Sequence, residues 1–184
     1  MTALDIRDIA IIDAFPAWGL IDTVLNVGCG EGRISYHLAG DGYDVHSTDV
    51  EPKISWKDVP GLKFYEADIF NVSLFSRKIN HVVVCSEVLE HLSDYKKAFI
   101  NLISLANMRL IITIPWKRSF NNPGHVNRWA DCAGGGYKDV AEFVEMGRPY
   151  SVSISKIRTK PGDVEKKQYG YLIVVDKRQK YNSQ

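Results

Sequence analysis

Three sets of residues in this 184-residue chain are of types and at spacings that do chemistry. Gly28, Gly30 and Gly32 alternate with Cys29 and Glu31 directly after the apolar run Thr23 to Val27. Backbone N–H groups there stand bare, with no side chain between them and a ligand. The helical periodicity that begins at Arg33 aims the positive end of a helix dipole at the same place. Asp49 ends a second apolar run about twenty residues past the glycines, where a nucleotide-binding strand–helix–strand unit sets a carboxylate for ribose hydroxyls. The third set is Ser86, Glu87, Glu90 and His91, just after another apolar run, with His125 in a later polar stretch. Imidazole titrates near neutral pH, which suits it to moving a proton at a reacting group.

The elements that must position these residues follow from periodicity. Ile6, Ile9, Ala10 and Asp13 to Phe15 predict a short amphipathic helix stopped by Pro16. Thr23 to Val27, Tyr43 to Thr48, Leu62 to Asp68, His81 to Cys85 and Arg109 to Ile114 read as strands, the fourth apolar throughout, as a strand covered on both faces must be. Glu51 to Gly61 reads as an irregular connection in which Trp56 packs. Tyr95 to Ala106 has helical spacing, and so does Tyr137 to Met146, closed by Gly147. Between them lies the long connection Trp116 to Gly136, where Lys117, Arg118 and Arg128 interleave with Trp116, Phe120 and Trp129. Tyr150 to Ile157 and Tyr169 to Val175 predict a closing hairpin, and Lys177 to Gln184 a frayed end. Strands alternating with helices give an α/β fold: a doubly wound, mostly parallel sheet with a C-terminal antiparallel hairpin, in one domain over residues 1–184.

Composition excludes several classes. The chain is 45% hydrophobic and 24% charged with a formal net charge of +1, so overall charge does not select for nucleic acid. No apolar run reaches the roughly 20 residues that cross a bilayer, and Asp5, Asp8 and Asp13 make the N-terminus unlike a secretion signal. Cys29, Cys85 and Cys132 are too scattered for a disulfide framework or a zinc site, which places the expected thiols in a reducing, cytoplasmic setting. His37, His46 and His81 fall within helix or strand patterns and are expected to be structural.

Val27 to Gly32, the strand-end Asp49, Glu66-Ala67-Asp68, Ser86 to Leu92, Ile112 to Pro115 and Gly124 to Trp129 together resemble the class I S-adenosylmethionine-dependent methyltransferases of small-molecule type, over about residues 23 to 150. The resemblance implies the Rossmann-like methyltransferase fold and S-adenosylmethionine as cofactor. A dehydrogenase fingerprint wants a third glycine where this chain has Arg33. Carried over by position, Gly28, Cys29, Gly30 and Gly32 pass beneath the methionine part and ribose, Asp49 accepts from the ribose hydroxyls, and Val50 lies against the adenine. Asp68 accepts from the adenine amino group with the backbone of Ile69 beside it, and Ser86 and Glu87 border the methionine part. Asn26 stands where the family usually has an acid, close to the cofactor's cationic end.

Methyl transfer is a displacement that needs alignment, exclusion of water and, for a hydroxyl or amine acceptor, a group that takes up a proton. His125, His91 and Glu87 are the expected catalytic residues. Glu87, Glu90 and His91 lie within about a turn of one another, with His125 as a fourth donor, a set that types as divalent-ion ligands. The same segment is widespread among metal-free members of the family, so no metal is expected. The expected acceptor is a small molecule such as a saccharide or lipid precursor. An RNA or nucleoside methyltransferase drawing on residues 151–184, with eight Lys or Arg against three Asp or Glu, is the alternative not favoured. A non-catalytic cofactor-binding module is the other. Oligomeric state is not specified by the sequence.

Overall fold

The computed structural model describes residues 4–17, 19, 21–53, 56–71, 80–116, 123–131, 133–134, 136–158 and 169–180. In chain order these hold α1 (Ile6–Asp13), β1 (Thr23–Val27), α2 (Arg33–Gly40), β2 (Asp44–Asp49), β3 (Leu62–Glu66), β4 (Asn80–Ser86), α3 (Tyr95–Leu105), β5 (Ala106–Pro115), β6 (Trp129–Ala130), β7 (Lys138–Asp139), α4 (Glu142–Met146), β8 (Tyr150–Arg158) and β9 (Tyr169–Lys180). Helix α1 opens on a reciprocal cap: the Asp5 side chain accepts from the N–H groups of Arg7 and Asp8, and the Asp8 carboxylate accepts from the Asp5 N–H. It stops short of Pro16.

Among the described residues, seven strands form one sheet in the order β3-β2-β1-β4-β5-β9-β8. The first five are parallel, β9 runs antiparallel to β5, and β8 closes the edge antiparallel to β9. This is the mostly parallel, doubly wound sheet with a C-terminal hairpin. Consecutive residues of β4 face opposite cores. Val82 and Val84 pack with Val24, Val45 and Ile111 beneath Ile11, Ile34 and Leu38, whereas Val83 and Cys85 join Leu110 and Ile112 under Phe99 and Leu102. Burial on both faces is why β4 reads as an unbroken apolar run. Strand order turns around between β1 and β4, which opens a crevice at their carboxyl ends.

Four features depart most from the sequence reading. Strand β5 starts at Ala106 rather than Arg109; the exposed Asn107 and half-buried Met108 interrupt the apolar run that marks the rest of the strand. Only Glu142 to Met146 of the expected helix over Tyr137 to Met146 is helical. The Lys138 and Val140 N–H groups donate to the Arg128 and Ala130 carbonyls, so the first half of that segment pairs with β6. Gly147 has a φ of −78°, so it is not a left-handed terminator; a Cβ there would lie 2.3 Å from Val152 Cγ2, a packing requirement that hides as a turn signal. Lys177 to Lys180 continue β9 instead of fraying, and Lys177 Nζ donates to the Ile103 and Ala106 carbonyls at 3.2 and 2.7 Å. Lys117, Arg118, Phe120 and Cys132 lie outside the described residues.

A buried charge knot locks the hairpin onto the sheet. Asp176 is 7% exposed and accepts from Arg178 Nη2 (2.8 Å) and Arg109 Nη2 (2.5 Å), while Arg109 Nη1 donates to the Ala14 carbonyl at 2.6 Å. Arg178, and then Arg109, hold the Asp176 carboxyl far below the ordinary carboxylate range. A folded-state pKa lowered in this way contributes stability that is present above the unfolded value near ~4 and is lost as pH falls below it. Asp176→Asn is expected to lower unfolding free energy by about 2–4 kcal/mol in urea melts, because it strands the guanidinium of Arg109. The variant's stability should also fall less steeply than the parent's between about pH 5 and pH 2.

Candidate active site

The glycine turn is hooked onto the end of β2. The N–H groups of Gly28 and Cys29 both donate to the Thr48 carbonyl, at 2.7 and 2.9 Å, and the Gly30 N–H donates to Asp49 Oδ2 at 2.8 Å. Gly28, Gly30 and Gly32 have φ values of 71°, 53° and 79°, a region that side chains resist. At Gly28 the Cβ of any other residue would lie 2.3 Å from Val88 Cγ2, and at Gly32 it would lie 2.8 Å from Phe64 Cζ. Trp56 braces the turn: its Nε1 donates to the Gly30 carbonyl at 2.9 Å and its ring stacks on Phe64 with centroids 4.7 Å apart. Burial, with Asp49 nearby, pushes the Cys29 thiol up to about 12, so it stays protonated and packs.

A cavity of about 430 Å³ opens at the carboxyl ends of β1, β2 and β4, within the range of small-molecule sites. Gly28, Gly30, Asp49, Val50, Asp68 and Ile69 line it together, as does Glu87 with His91. Asp68 Oδ1 accepts from the Phe70 N–H at 2.9 Å, which fixes the turn carrying Ile69. Val88 and Leu92, from the Ser86 to Leu92 segment, also line the cavity, as do Lys53 and Phe70, which carry no motif that marks them in the sequence.

Other expected residues stand behind this wall. Asn26 is buried and its Nδ2 donates to Ser35 Oγ at 2.9 Å, with Ser47 Oγ donating to the same hydroxyl at 2.7 Å. Its amide ties β1 to α2 and β2 through a hydroxyl chain. Ser86 Oγ lies 2.7 Å from Thr113 Oγ1, bridging β4 and β5. Trp129, one of the aromatic residues of the long connection, is fully buried; its Nε1 donates to Glu142 Oε1 at 2.8 Å and its ring meets Tyr95 edge-on. His46 and His81 are structural: the first stacks on Tyr65, and Nδ1 of the second lies 3.0 Å from Thr23 Oγ1.

Beyond β4 the chain makes a turn with unusual backbone geometry. Glu87 has φ +56°, a strained value for a residue with a side chain. Its Oε2 accepts from Arg7 Nη1 at 2.9 Å, so α1 reaches across 80 residues of sequence to hold it. Burial raises the Glu87 pKa against the opposing pull of Arg7, and burial together with the Glu87 charge raises that of Glu90. His91 Nδ1 lies 3.0 Å from the Gly124 carbonyl, and its ring meets that of His125 edge-on with centroids 4.7 Å apart. Burial, then His91 and Arg128, lower the pKa of His125, which favours the neutral imidazole.

The glycine turn and strands β2, β3 and β4 lie within the span of a recognised domain. The family model described as a methyltransferase domain matches residues 25–105. The match spans 81 of the 184 residues, and that part of the chain is similar to the methyltransferase domain. The ubiquinone biosynthesis O-methyltransferase of Rickettsia canadensis (strain McKiel) is 32% identical to it over 85 residues, 44% of this chain and 36% of that protein. That of Rickettsia prowazekii (strain Madrid E) is 33% identical over 85 residues, 44% of this chain and 34% of that one. The chain thus spans about a third of the length of these curated relatives. In fold it is similar to the 1,6-didemethyltoxoflavin-N1-methyltransferase of Burkholderia thailandensis, solved with bound 1,6-didemethyltoxoflavin and S-adenosylhomocysteine: TM-score 0.65, 15% identity, 92% of this chain and 76% of that one. It is also similar to the methyltransferase solved in complex with the Haloferax volcanii Trm112 activator: TM-score 0.67, 15% identity, 92% and 93%. No helix among the described residues is long and apolar enough to cross a membrane.

In this methyltransferase fold, Gly28 carries both constraints on the turn, its φ and its contact with Val88. Gly28→Ala is expected to destabilise the chain by about 2–4 kcal/mol. Adding Val88→Ala should recover the steric part and leave about 1 kcal/mol of backbone strain, as a double-mutant cycle in denaturant melts would read out.

Proposed function

We propose that the chain moves a methyl group from S-adenosylmethionine to a small-molecule acceptor. The observation that carries this reading is the bare glycine turn meeting the Asp49 carboxylate on one cavity wall. The donor set suits a nucleoside without phosphate. Asp49 is an acid where a phosphate would be repelled, its carboxylate has lone pairs beyond those taken by the Gly30 and Glu51 N–H groups, and it suits ribose hydroxyls. Val50, Ile69 and Val88 offer apolar surface to a purine, and the Asp68 carboxylate an acceptor for its amino group. A Cβ at Gly30 would meet nothing within 4 Å, so main chain stands open to the cavity there.

Gly28, Cys29, Gly30 and Gly32 form the seat for the methionine part and ribose, with Asn26 and Ser86 stiffening it from behind. When bound, the cofactor supplies a methyl carbon activated by an adjacent positive sulfur. The chain's own task is to align the acceptor, keep water out and relieve the acceptor of its proton. Glu87, His91 and His125 stand at the acceptor end for that purpose. The Rickettsia relatives named as O-methyltransferases support an oxygen acceptor, and saccharide or lipid precursors are the first compounds to try.

Calorimetry with S-adenosylhomocysteine tests the seat: Asp49→Ala should weaken binding by about 1–3 kcal/mol through the lost ribose contacts, and unchanged affinity would refute the assignment. His125→Ala tests the acceptor end. Its turnover, followed by mass spectrometry of methylated product, should fall on the order of a hundredfold while cofactor affinity holds.

A further inference from the structure

Glu90 is fully buried, yet neither of its carboxylate oxygens has a hydrogen-bond donor among the described residues. A buried carboxylate left in that state is costly, and native structures supply it with a donor, a cation or a metal. Two imidazoles stand against it. His91 Nε2 lies 3.9 Å from Glu90 Oε1, and one donor atom from each of Glu90, His91 and His125 lies within 4.8 Å of the others. The His91 Nδ1 partner is a carbonyl, which only accepts, so Nδ1 carries the hydrogen and the Nε2 lone pair faces Glu90. Imidazoles that ligate metals are oriented in this way, by a backbone carbonyl on the far nitrogen.

The scaffold around these groups is laced together. The Val126 and Asn127 N–H groups donate to the Glu90 carbonyl at 2.8 and 3.0 Å. The buried Asn127 side chain donates to the Leu89 and Leu92 carbonyls at 3.2 and 2.6 Å. The turn that bears Glu90 and His91 is thereby fastened to the loop that bears His125 on both sides of the cluster. Two elements 35 residues apart are held in register at the point where their donors converge.

We propose that Glu90, His91 and His125 bind one divalent transition-metal ion of the zinc type at the acceptor end of the cavity. Two imidazoles and one carboxylate suit zinc, manganese or ferrous iron better than the all-oxygen preferences of magnesium or calcium. The donors lie within 4.8 Å of one another, against the roughly 3.3 Å of a tetrahedral site, so binding an ion would draw them together. Three protein ligands leave a coordination position open, as catalytic rather than structural sites do. His91 lines the cavity, so that open position serves an acceptor oxygen and favours its deprotonated form. In the metal-bound state the two imidazoles act as ligands, and the ion takes over the task of easing the proton off the acceptor. This acceptor role rests on the function proposed above, whereas ion binding itself does not.

The test uses the full chain, stripped with chelator and titrated with Zn²⁺ by calorimetry and with Co²⁺ by visible absorption. One equivalent per chain, with the intense d–d bands of a low-coordinate Co²⁺ site and no response to Mg²⁺, is expected. Glu90→Gln, His91→Ala and His125→Ala should each weaken Zn²⁺ binding at least roughly tenfold. Glu90→Gln keeps the side chain's shape, and circular dichroism with S-adenosylhomocysteine affinity verifies that it folds. Absence of stoichiometric Zn²⁺ binding in the parent chain, or unchanged affinity in folded Glu90→Gln and His125→Ala, overturns the proposal. Zn²⁺ binding that survives where S-adenosylhomocysteine binding fails supports the metal site and counts against the methyltransferase reading alone.

Discussion

The Thr48 carbonyl takes two hydrogen bonds, from the N–H groups of Gly28 and Cys29, and the site depends on that shared acceptor. It draws the chain leaving β1 over the carboxyl end of β2, where an ordinary residue would continue outward. The turn is tolerable only because Gly28 accepts φ +71° and because its missing Cβ lets Val88 sit against the backbone. The ends of β1 and β2 and the segment beyond β4 therefore meet at one point. Asp49 then reaches Gly30, Trp56 closes over the Gly30 carbonyl, and the cavity wall is complete. In parallel β1 and β2, Val27 stands opposite Thr48, so the sheet register itself delivers this acceptor to the glycines.

A charge network couples α1 to this point. Asp8 is 1% exposed and is neutralised by Arg33 Nε at 2.7 Å, Asp5 accepts from both Arg7 and Arg33, and Arg7 goes on to Glu87. Arg33 is the first residue of α2, an electrostatically poor place for a cation because the helix dipole is positive there. The two carboxylates of α1 offset that penalty and give the arginine its reason. The same residue that excludes the dehydrogenase fingerprint is thus the anchor of the N-terminal helix, and Arg7 passes the constraint to the strained Glu87.

On the side of His125 the supports are aromatic. Glu142 accepts from Tyr95 Oη (2.9 Å) and Trp129 Nε1 (2.8 Å), and the rings of Tyr95, Trp129, Phe99 and Phe143 pack beside one another. This cluster fixes the chain just past His125 by burying Trp129. Burial and the Glu142 charge raise the Tyr95 pKa, which keeps the phenol in its donating form.

The sequence by itself determined what local pattern encodes. Unbroken burial of Val82 to Cys85, the glycine spacing after Val27, the acid at the end of β2 and the Ser86 to Leu92 segment are each set by neighbours in the chain. Those features were enough to specify the doubly wound sheet and to bring Gly28, Gly30, Asp49, Val50, Asp68, Ile69, Glu87 and His91 to one cavity. The tertiary structure decided everything that needed a partner from far away. Asn26 became a buried strut because Ser35 and Ser47 present hydroxyls to it, and Trp129 became core because Glu142 and Tyr95 enclose it. Tyr137 to Asp139 left the helical pattern because β6 offered carbonyls, and Arg7 found Glu87 only when α1 docked. Periodicity reports how a residue relates to the next few along the chain; a hydrogen bond or ion pair across 80 residues is created by packing alone.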